Sequence, residues 1–294
     1  MSRPPRPGSG QAYAEVIGDP IAQSKSPTIH THWLGKLGIE GEYGRCHVRP
    51  DELAGYLAQR RGEENWRGCN VTMPHKQAIM ALLDRLDPLA AQVGAVNAVV
   101  RESDGSLTGF NTDVAGFVEP LRSLLAREHL FRMARVLGTG GAARAIVAAL
   151  AAEKVVIVLA GRDPAKARAL LDELDPGGEH HAVDLAHFAG PTDFAFDDRA
   201  GCFDLIVNAS PLGMAGQPPL AFDLSHAPPG SVVYDIVTSP ADTPLLQAAR
   251  AAGFPTIDGP SMLIGQAAVA FEQFFGRPPP RDDGDRDLRA LLTA

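Results

Sequence analysis

The string Asn70-Val-Thr-Met-Pro-His-Lys76 sets a lysine just behind a proline, and the apolar residues after it predict a helix starting at Pro74. Proline suits a first helical position, where its missing N–H is not needed. A lysine one turn into such a helix faces the positive end of the dipole, which disfavours its charged form. A lysine that gives up its proton more easily is a candidate proton-transfer group. Asp113, in Gly109-Phe-Asn-Thr-Asp113, offers a carboxylate to orient Lys76 and bond a substrate hydroxyl, or else caps the helix-like run behind it. Its charge raises the proton affinity that the helix end lowers, so Lys76 reads as a proton shuttle rather than a permanently neutral base. Asn97, in Gly94-Ala-Val-Asn97, presents an amide that could bond two vicinal hydroxyls, with a plain turn role as the alternative. Gln266, on a late helix, is another amide; its ordinary role would be an interface hydrogen bond.

A second group of donors lies near the start of the chain. Gln23-Ser24-Lys-Ser26-Pro27 ends a strand and opens a helix. Two hydroxyls and the free N–H groups of a helix start could hold a carboxylate there. Ser26 could equally serve as a plain N-cap while Ser24 donates outward. Lys25 adds a positive charge near the proposed carboxylate.

The third signal is Gly138-Thr-Gly-Gly-Ala-Ala-Arg144. Glycines at the first and third places permit a tight turn and let backbone N–H groups approach a pyrophosphate. The string follows an apolar strand and opens an Ala-rich helix, the context a dinucleotide site requires. Ala143 replaces the last glycine of the common fingerprint and is small enough for close helix–strand packing. At the end of the next strand, Arg162 and Lys166 could pair with a 2′-phosphate, which favours NADP. Asp163 speaks for NAD if it accepts from a free 2′-OH, and for nothing if it merely caps the helix after it.

Elements that hold these groups follow from the apolar pattern. Tyr13–Ile17, Glu42–Val48, Gly68–Val71 and Val96–Arg101 read as strands. Ile29, Trp33 and Leu37 mark an amphipathic helix over Pro27–Leu37, and Ile79, Leu82, Leu83 and Leu86 mark the helix after Pro74. Beyond Asp113, Ala134–Leu137, Val155–Ala160, Leu205–Asn208 and Val232–Ile236 look like buried parallel strands of a doubly wound domain. A last helix from about Ser261 carries Ile264, Ala267, Ala268 and Phe271 and could return to the first domain; Asp287–Leu292 adds a short helical piece. The expected organisation is α/β with a tail at 1–11, a discontinuous substrate domain at 12–113 plus 260–294, and a Rossmann domain at 114–259. Arg277-Pro-Pro-Pro-Arg-Asp-Asp-Gly284 reads as a flexible connector.

A net charge of -8 and a pI near 5.6 argue against nucleic acid or an anionic membrane surface as partner. Cys46, Cys69 and Cys202 are scattered without metal-binding spacing, so no metal and no disulfide framework is expected and the cytoplasm is the natural compartment. No apolar run reaches the roughly 18 residues of a membrane span. Monomer and homodimer both remain open.

Taken in order, these strings resemble the shikimate dehydrogenase family. Gly18 to Pro27 is similar to its carboxylate loop and Asn70 to Lys76 to its Asn-Val-Thr-x-Pro-x-Lys signature. Gly94–Asn97, Asn111–Asp113, Gly138–Arg144, Asn208–Met214 and Met262–Gln266 follow in the family's order. The resemblance implies an NADP-dependent oxidoreductase that interconverts shikimate and 3-dehydroshikimate, in aromatic amino acid and chorismate biosynthesis. It implies Lys76 and Asp113 as the catalytic pair, with substrate contacts from Ser24, Ser26, Thr72, Lys76, Asn97, Asp113 and Gln266. It implies cofactor contacts from Gly138, Thr139, Gly140, Gly141, Ala142, Arg162, Lys166, Ile236 and Gly259, with substrate and cofactor meeting in a cleft between domains. Three positions depart from the family's pattern. Thr238 stands near the substrate carboxylate where the family often has Tyr, and the shorter threonine needs a water to reach it. Gly161 replaces the usual Asn before the cofactor arginine, and Thr31 the usual Asn after His30. Quinate or another cyclic polyol with NAD is the alternative reaction, and an NADP-sensing protein without turnover the alternative of another class.

Overall fold

The computed structural model describes residues 10–281 and 285–293. The expected tail at 1–11 lies outside the described residues up to residue 9, as do residues 282–284 of the expected connector. The chain divides into two compact units, one running to Ala115 and resuming at Ile264, the other spanning Gly116–Leu263.

In the first unit β1 (Ala12–Gly18), α1 (Ser26–Leu37), β2 (Gly41–His47), α2 (Leu53–Arg61) and β3 (Trp66–Val71) are two crossovers around the central β1. β4 (Arg85–Leu86), α3 (Pro88–Val93), β5 (Ala98–Arg101) and β6 (Leu107–Phe110) follow, then the start of α4 (Asp113–Val118). The sheet order is β2-β1-β3-β5-β6-β4. β1 runs parallel to β2 and β3, whereas β5 is antiparallel to β3 and β6. β1 is buried at every residue after Ala12, as suits a parallel strand covered on both faces. α1 has proline in its first turn and ends at Gly38, whose φ of 60° closes the helix in the left-handed conformation. Ile17, Trp66, Val71, Ile79, Val96 and Val99 pack one core of this unit.

The helix expected from Pro74 does not form. Residues 72–77 make turns, and Ala78–Leu82 form a single stretch of 3-10 helix. An α-helix would need the Lys76 carbonyl to accept from the Met80 N–H. That carbonyl accepts instead from the Val96 N–H at 2.8 Å, and Met80 N–H turns to the Gln77 carbonyl at 3.2 Å. Ile79 is buried, but Leu86 lies in β4. Lys76 therefore sits outside any α-helix, and the dipole argument made for it lapses.

The second unit adds α5 (Arg122–Leu125), β7 (Phe131–Leu137), α6 (Gly141–Ala152), β8 (Val156–Gly161), α7 (Pro164–Leu174) and β9 (His181–Asp184). β10 (Cys202–Asn208), β11 (Val232–Asp235), α8 (Pro244–Ala251) and β12 (Thr256–Ile257) complete it. Its sheet runs β12-β11-β10-β7-β8-β9, all parallel, with the order reversing beside β7. That is the expected doubly wound pattern, and it puts the loops after β7 and β10 at a switch point. α9 (Gly259–Phe275) carries the chain back to the first unit, where Phe271 and Phe274 lie against His30, Trp33 and Tyr43. α10 (Arg286–Thr293) ends the described chain. Among the described residues no helix is long and apolar enough to cross a membrane.

Candidate active site

Lys76 and Asp113 form an ion pair between Nζ and Oδ2, with side chains 16% and 7% exposed. Burial at this level shields the pair from the water that weakens surface ion pairs. Asp113 opens α4, yet its carboxylate does not cap the helix. Asn111 takes that role, its Oδ1 accepting from the Val114 N–H at 3.3 Å. Both Asp113 oxygens are thus free for side chains: Oδ2 accepts from Lys76 and Oδ1 from Asn97 Nδ2 at 2.9 Å.

Asn97 ties the cluster together. It is 2% exposed. Its Nδ2 also donates to Thr112 Oγ1 at 2.9 Å and Gln266 Oε1 at 3.4 Å, and its Oδ1 accepts from the Thr112 N–H at 2.7 Å. Thr112 was not singled out from the sequence, although it lies inside the Asn111–Asp113 string. It bonds Asn97 through both backbone and hydroxyl, and its hydroxyl also meets Gln266 Oε1 at 3.4 Å. Further back, Tyr43 Oη donates to Asn70 Oδ1 at 2.5 Å, and Asn70 Nδ2 donates to the Asn97 carbonyl at 3.2 Å. No local sequence signal marks Tyr43. Asn70 thus couples the lysine-bearing signature to the strand start that carries Asn97.

Ser24 and Ser26 form a separate patch. Ser24 Oγ lies 3.3 Å from Ser26 Oγ and accepts from the Ser26 N–H at 3.4 Å. Ser26 does not act as the N-cap: Lys25 occupies that position, with no side-chain cap bond. Nor does Lys25 direct its charge at this patch, because its ammonium donates to the Leu292 carbonyl at the end of α10. The exposed Arg45 guanidinium instead holds the Ser24 carbonyl, with Nε at 2.9 Å and Nη2 at 2.5 Å. Thr72 joins the ends of β1 and β3: its N–H donates to the Ile17 carbonyl at 3.0 Å, and its methyl fills the space a side chain at Gly18 would need. Among the described residues no hydrogen bond links the two serines to the Lys76–Asp113 cluster.

The second unit carries the glycine-rich turn. Gly138 has φ of 122°, and a Cβ there would meet the Ala209 carbonyl oxygen at 2.7 Å, so only glycine fits. Thr139 and Gly140 follow, and Gly141 and Ala142 start α6; a Cβ at Gly140 would meet nothing within 4 Å. An open backbone at the head of a twelve-residue helix suits a pyrophosphate, and the first turn carries no acid to repel it. Arg162 and Lys166 are exposed beyond β8. Asp163 caps α7, its Oδ1 accepting from the Ala165 and Lys166 N–H groups at 2.9 and 3.2 Å. The cap uses Oδ1 alone and leaves Oδ2 exposed. The loop holding Ile236 and Thr238 is fixed from below by Asp235, which accepts from the Val237 N–H at 3.0 Å, Asn208 Nδ2 at 3.0 Å and Thr243 Oγ1 at 2.7 Å. Burial pushes the Asp235 carboxyl above the usual carboxylate range, against these three donors. Gly259 packs on the same loop, where a Cβ would lie 2.1 Å from the Val237 carbonyl oxygen.

Residues 16–99 match the family model for the shikimate dehydrogenase substrate binding domain, and residues 261–283 the model for the shikimate 5'-dehydrogenase C-terminal domain. The chain is 52% identical over 283 residues to a shikimate dehydrogenase (NADP(+)) of Sphingopyxis alaskensis, covering 96% of this chain and 97% of that one. It superposes on the Thermus thermophilus shikimate 5-dehydrogenase solved with NADP(H) and shikimate at a TM-score of 0.76 and 32% identity, over 96% and 98% of the two chains. It also superposes on the quinate dehydrogenase of Corynebacterium glutamicum solved with NAD, at a TM-score of 0.81 and 32% identity, over 96% and 98%.

Proposed function

The chain belongs to the shikimate dehydrogenase family, and we propose from that premise that it interconverts 3-dehydroshikimate and shikimate with Lys76 and Asp113 as its proton-transfer pair. The observation that carries the reading is the part-buried Lys76–Asp113 ion pair held by Asn97. It is an NADP-dependent oxidoreductase. Bound NADP(H) would supply hydride chemistry at the ketone carbon of the substrate.

The residues of the chain supply the rest. In the direction of reduction, Lys76 gives a proton to the carbonyl oxygen as its carbon gains the hydride, so that the product is the neutral alcohol. In the reverse direction Lys76 takes the hydroxyl proton as the carbon loses the hydride. Asp113 holds the lysine and accepts from a substrate hydroxyl; Asn97 fixes the orientation of that carboxylate, and Asn97, Gln266 and Thr72 face the ring hydroxyls. Ser24 and Ser26 donate to the substrate carboxylate, and Thr238 reaches the same region through a water. Positioned acid–base help of this kind is worth roughly 10²–10⁴ in rate. The turn from Gly138 through Ala142 would take the pyrophosphate, Arg162 and Lys166 the 2′-phosphate, and Ile236 and Gly259 would border the cofactor. The exposed cationic pair Arg162 and Lys166 supports NADP over NAD. The reaction runs in the cytoplasm, where the unpaired thiols Cys46, Cys69 and Cys202 stay reduced, with the enzyme a monomer or homodimer.

Steady-state kcat/KM for shikimate and quinate, each with NADP and NAD, tests the assignment. Shikimate with NADP should exceed the other three pairs by at least about tenfold. The likeness to the quinate dehydrogenase solved with NAD carries quinate as the second reading, and a quinate or NAD preference in these data would replace the first.

A further inference from the structure

On one face of the second sheet, β9 returns to β10 without an α-helix. A single stretch of 3-10 helix, Leu185–Phe188, and the loop at 189–201 make the connection. The loop is pinned at its start: His226 Nε2 meets the Gly190 carbonyl at 2.9 Å, and the Thr192 N–H donates to Ser225 Oγ at 2.9 Å. Between the loop and the first half of β7 lies a cavity of about 430 Å³. Small-molecule sites occupy roughly 300–1,000 Å³.

The cavity is walled by aromatic rings and holds two guanidinium groups. Phe194 and Phe196 of the loop meet edge to face at 5.1 Å, and Phe131 and Met133 rise from β7. Phe194 is 67% exposed, an unusual setting for so large an apolar side chain. Arg135, only 9% exposed, lies over the Phe196 ring at 5.7 Å. Its Nη1 reaches Asp204 Oδ1 at 3.4 Å, and its other nitrogens have no acceptor among the described residues. Arg199 takes the second oxygen of the same carboxylate, with Nε at 3.1 Å and Nη2 at 2.6 Å. One carboxylate thus serves two guanidinium groups, and no carboxylate lines the cavity itself. Asp197, which also acts on Arg199, lies on the exposed side of the loop. Asp204 and Asp197 offset the two guanidinium charges, but Arg135 keeps N–H donors without an acceptor among the described residues beside apolar walls, so a carboxylate entering the open cavity meets donors already in place.

We propose that this cavity binds a small planar aromatic monocarboxylate, its carboxylate on Arg135 and Arg199 and its ring against Phe194 and Phe196. Guanidinium groups pair with carboxylates through two parallel bonds, and rings favour offset or edge-on contact with rings. The cavity takes Phe131, Met133 and Arg135 from β7, whereas the Gly138 turn follows the last residue of that strand, and no residue of the turn lines the cavity.

Isothermal titration of the full chain with 2-naphthoate tests the proposal, run with and without saturating NADP and shikimate. The expected result is one site per chain, with affinity changed less than about twofold by NADP and shikimate. Neutral 2-naphthamide should bind about tenfold more weakly or worse, as should 2-naphthoate to Arg135→Met. Arg199→Gln, at a more open position, should show the same loss and serves if Arg135→Met fails to fold. Phe194→Ala should weaken binding severalfold. Absence of binding, insensitivity to the arginine substitutions, or displacement by NADP would overturn the proposal.

Discussion

Replacing Asn97 with alanine removes the side chain that holds the cluster together, and the loss can be worked from its bonds. Asn97→Ala leaves the Thr112 N–H without its 2.7 Å acceptor and Asp113 Oδ1 without its 2.9 Å donor. At a site 2% exposed, water cannot readily take over. An unsatisfied buried polar group costs about 1–3 kcal/mol, so two of them give about 2–6 kcal/mol, with about 3 kcal/mol as the working figure once relaxation is allowed. The assay is urea unfolding followed by tryptophan fluorescence. Both tryptophans, Trp33 and Trp66, lie in the first unit, so the signal reports the unit that contains Asn97. Asn97→Asp adds a check of sign. It keeps the acceptor for Thr112 but sets a second carboxylate beside Asp113. Like charges raise the pair's pKa above the unfolded value of about 3.9, so the proton that relieves them is lost as pH rises. The stability deficit of Asn97→Asp relative to the parent should therefore grow with pH. A loss below about 1 kcal/mol in Asn97→Ala, or a deficit in Asn97→Asp that shrinks with rising pH, would show that Asn97 does not hold Thr112 and Asp113 in this way.

His30 is fully buried against Tyr43 with neither ring nitrogen bonded, and burial lowers its pKa from 6.5 to about 3. Its neutral form contributes stability above pH 6.5 that is lost as pH falls toward 3, by roughly 1.4 kcal/mol per unit, and His30→Phe should remove that part of the slope in acid unfolding curves. A Cβ at Gly161 would lie 2.8 Å from the Thr139 methyl. Gly161→Asn alone should therefore raise the KM for NADP, and adding Thr139→Ala should restore it, as a double-mutant cycle of NADP kinetics would show. Arg162→Ala with Lys166→Ala should lower kcat/KM for NADP by about 10²–10⁴-fold, from roughly 1.5–3 kcal/mol for each of the two lost bonds to a charged group, while leaving that for NAD unchanged.

Some of this was legible in the sequence because the chemistry sits in contiguous strings. Gly138–Arg144 needs only a strand before it and a helix behind it, and β7 and α6 supply both. The family and the Rossmann pattern followed from several such strings in order. Distant partners explain what was misread. Ile79, Leu83 and Leu86 have helical spacing, but the carbonyl that would continue the helix at Lys76 is claimed by Val96, twenty residues on. Lys25 looked like a neighbour of the carboxylate loop until the chain end at Leu292 took its ammonium. Thr112 stayed hidden because its role rests on a backbone N–H and a hydroxyl that both point at Asn97. β4 and β12, two residues each, are too short to leave a pattern. The aromatic cavity gathers residues from β7, β8, the loop at 189–201 and His226, which no local string joins.

The proton-transfer role of Lys76 is tested most directly by kcat and KM for shikimate with NADP in Lys76→Ala, on protein whose fold is checked by circular dichroism. Removal of the group that moves the proton predicts a fall in kcat of roughly 10²–10⁴ with KM changed little. A kcat near that of the parent enzyme would contradict it.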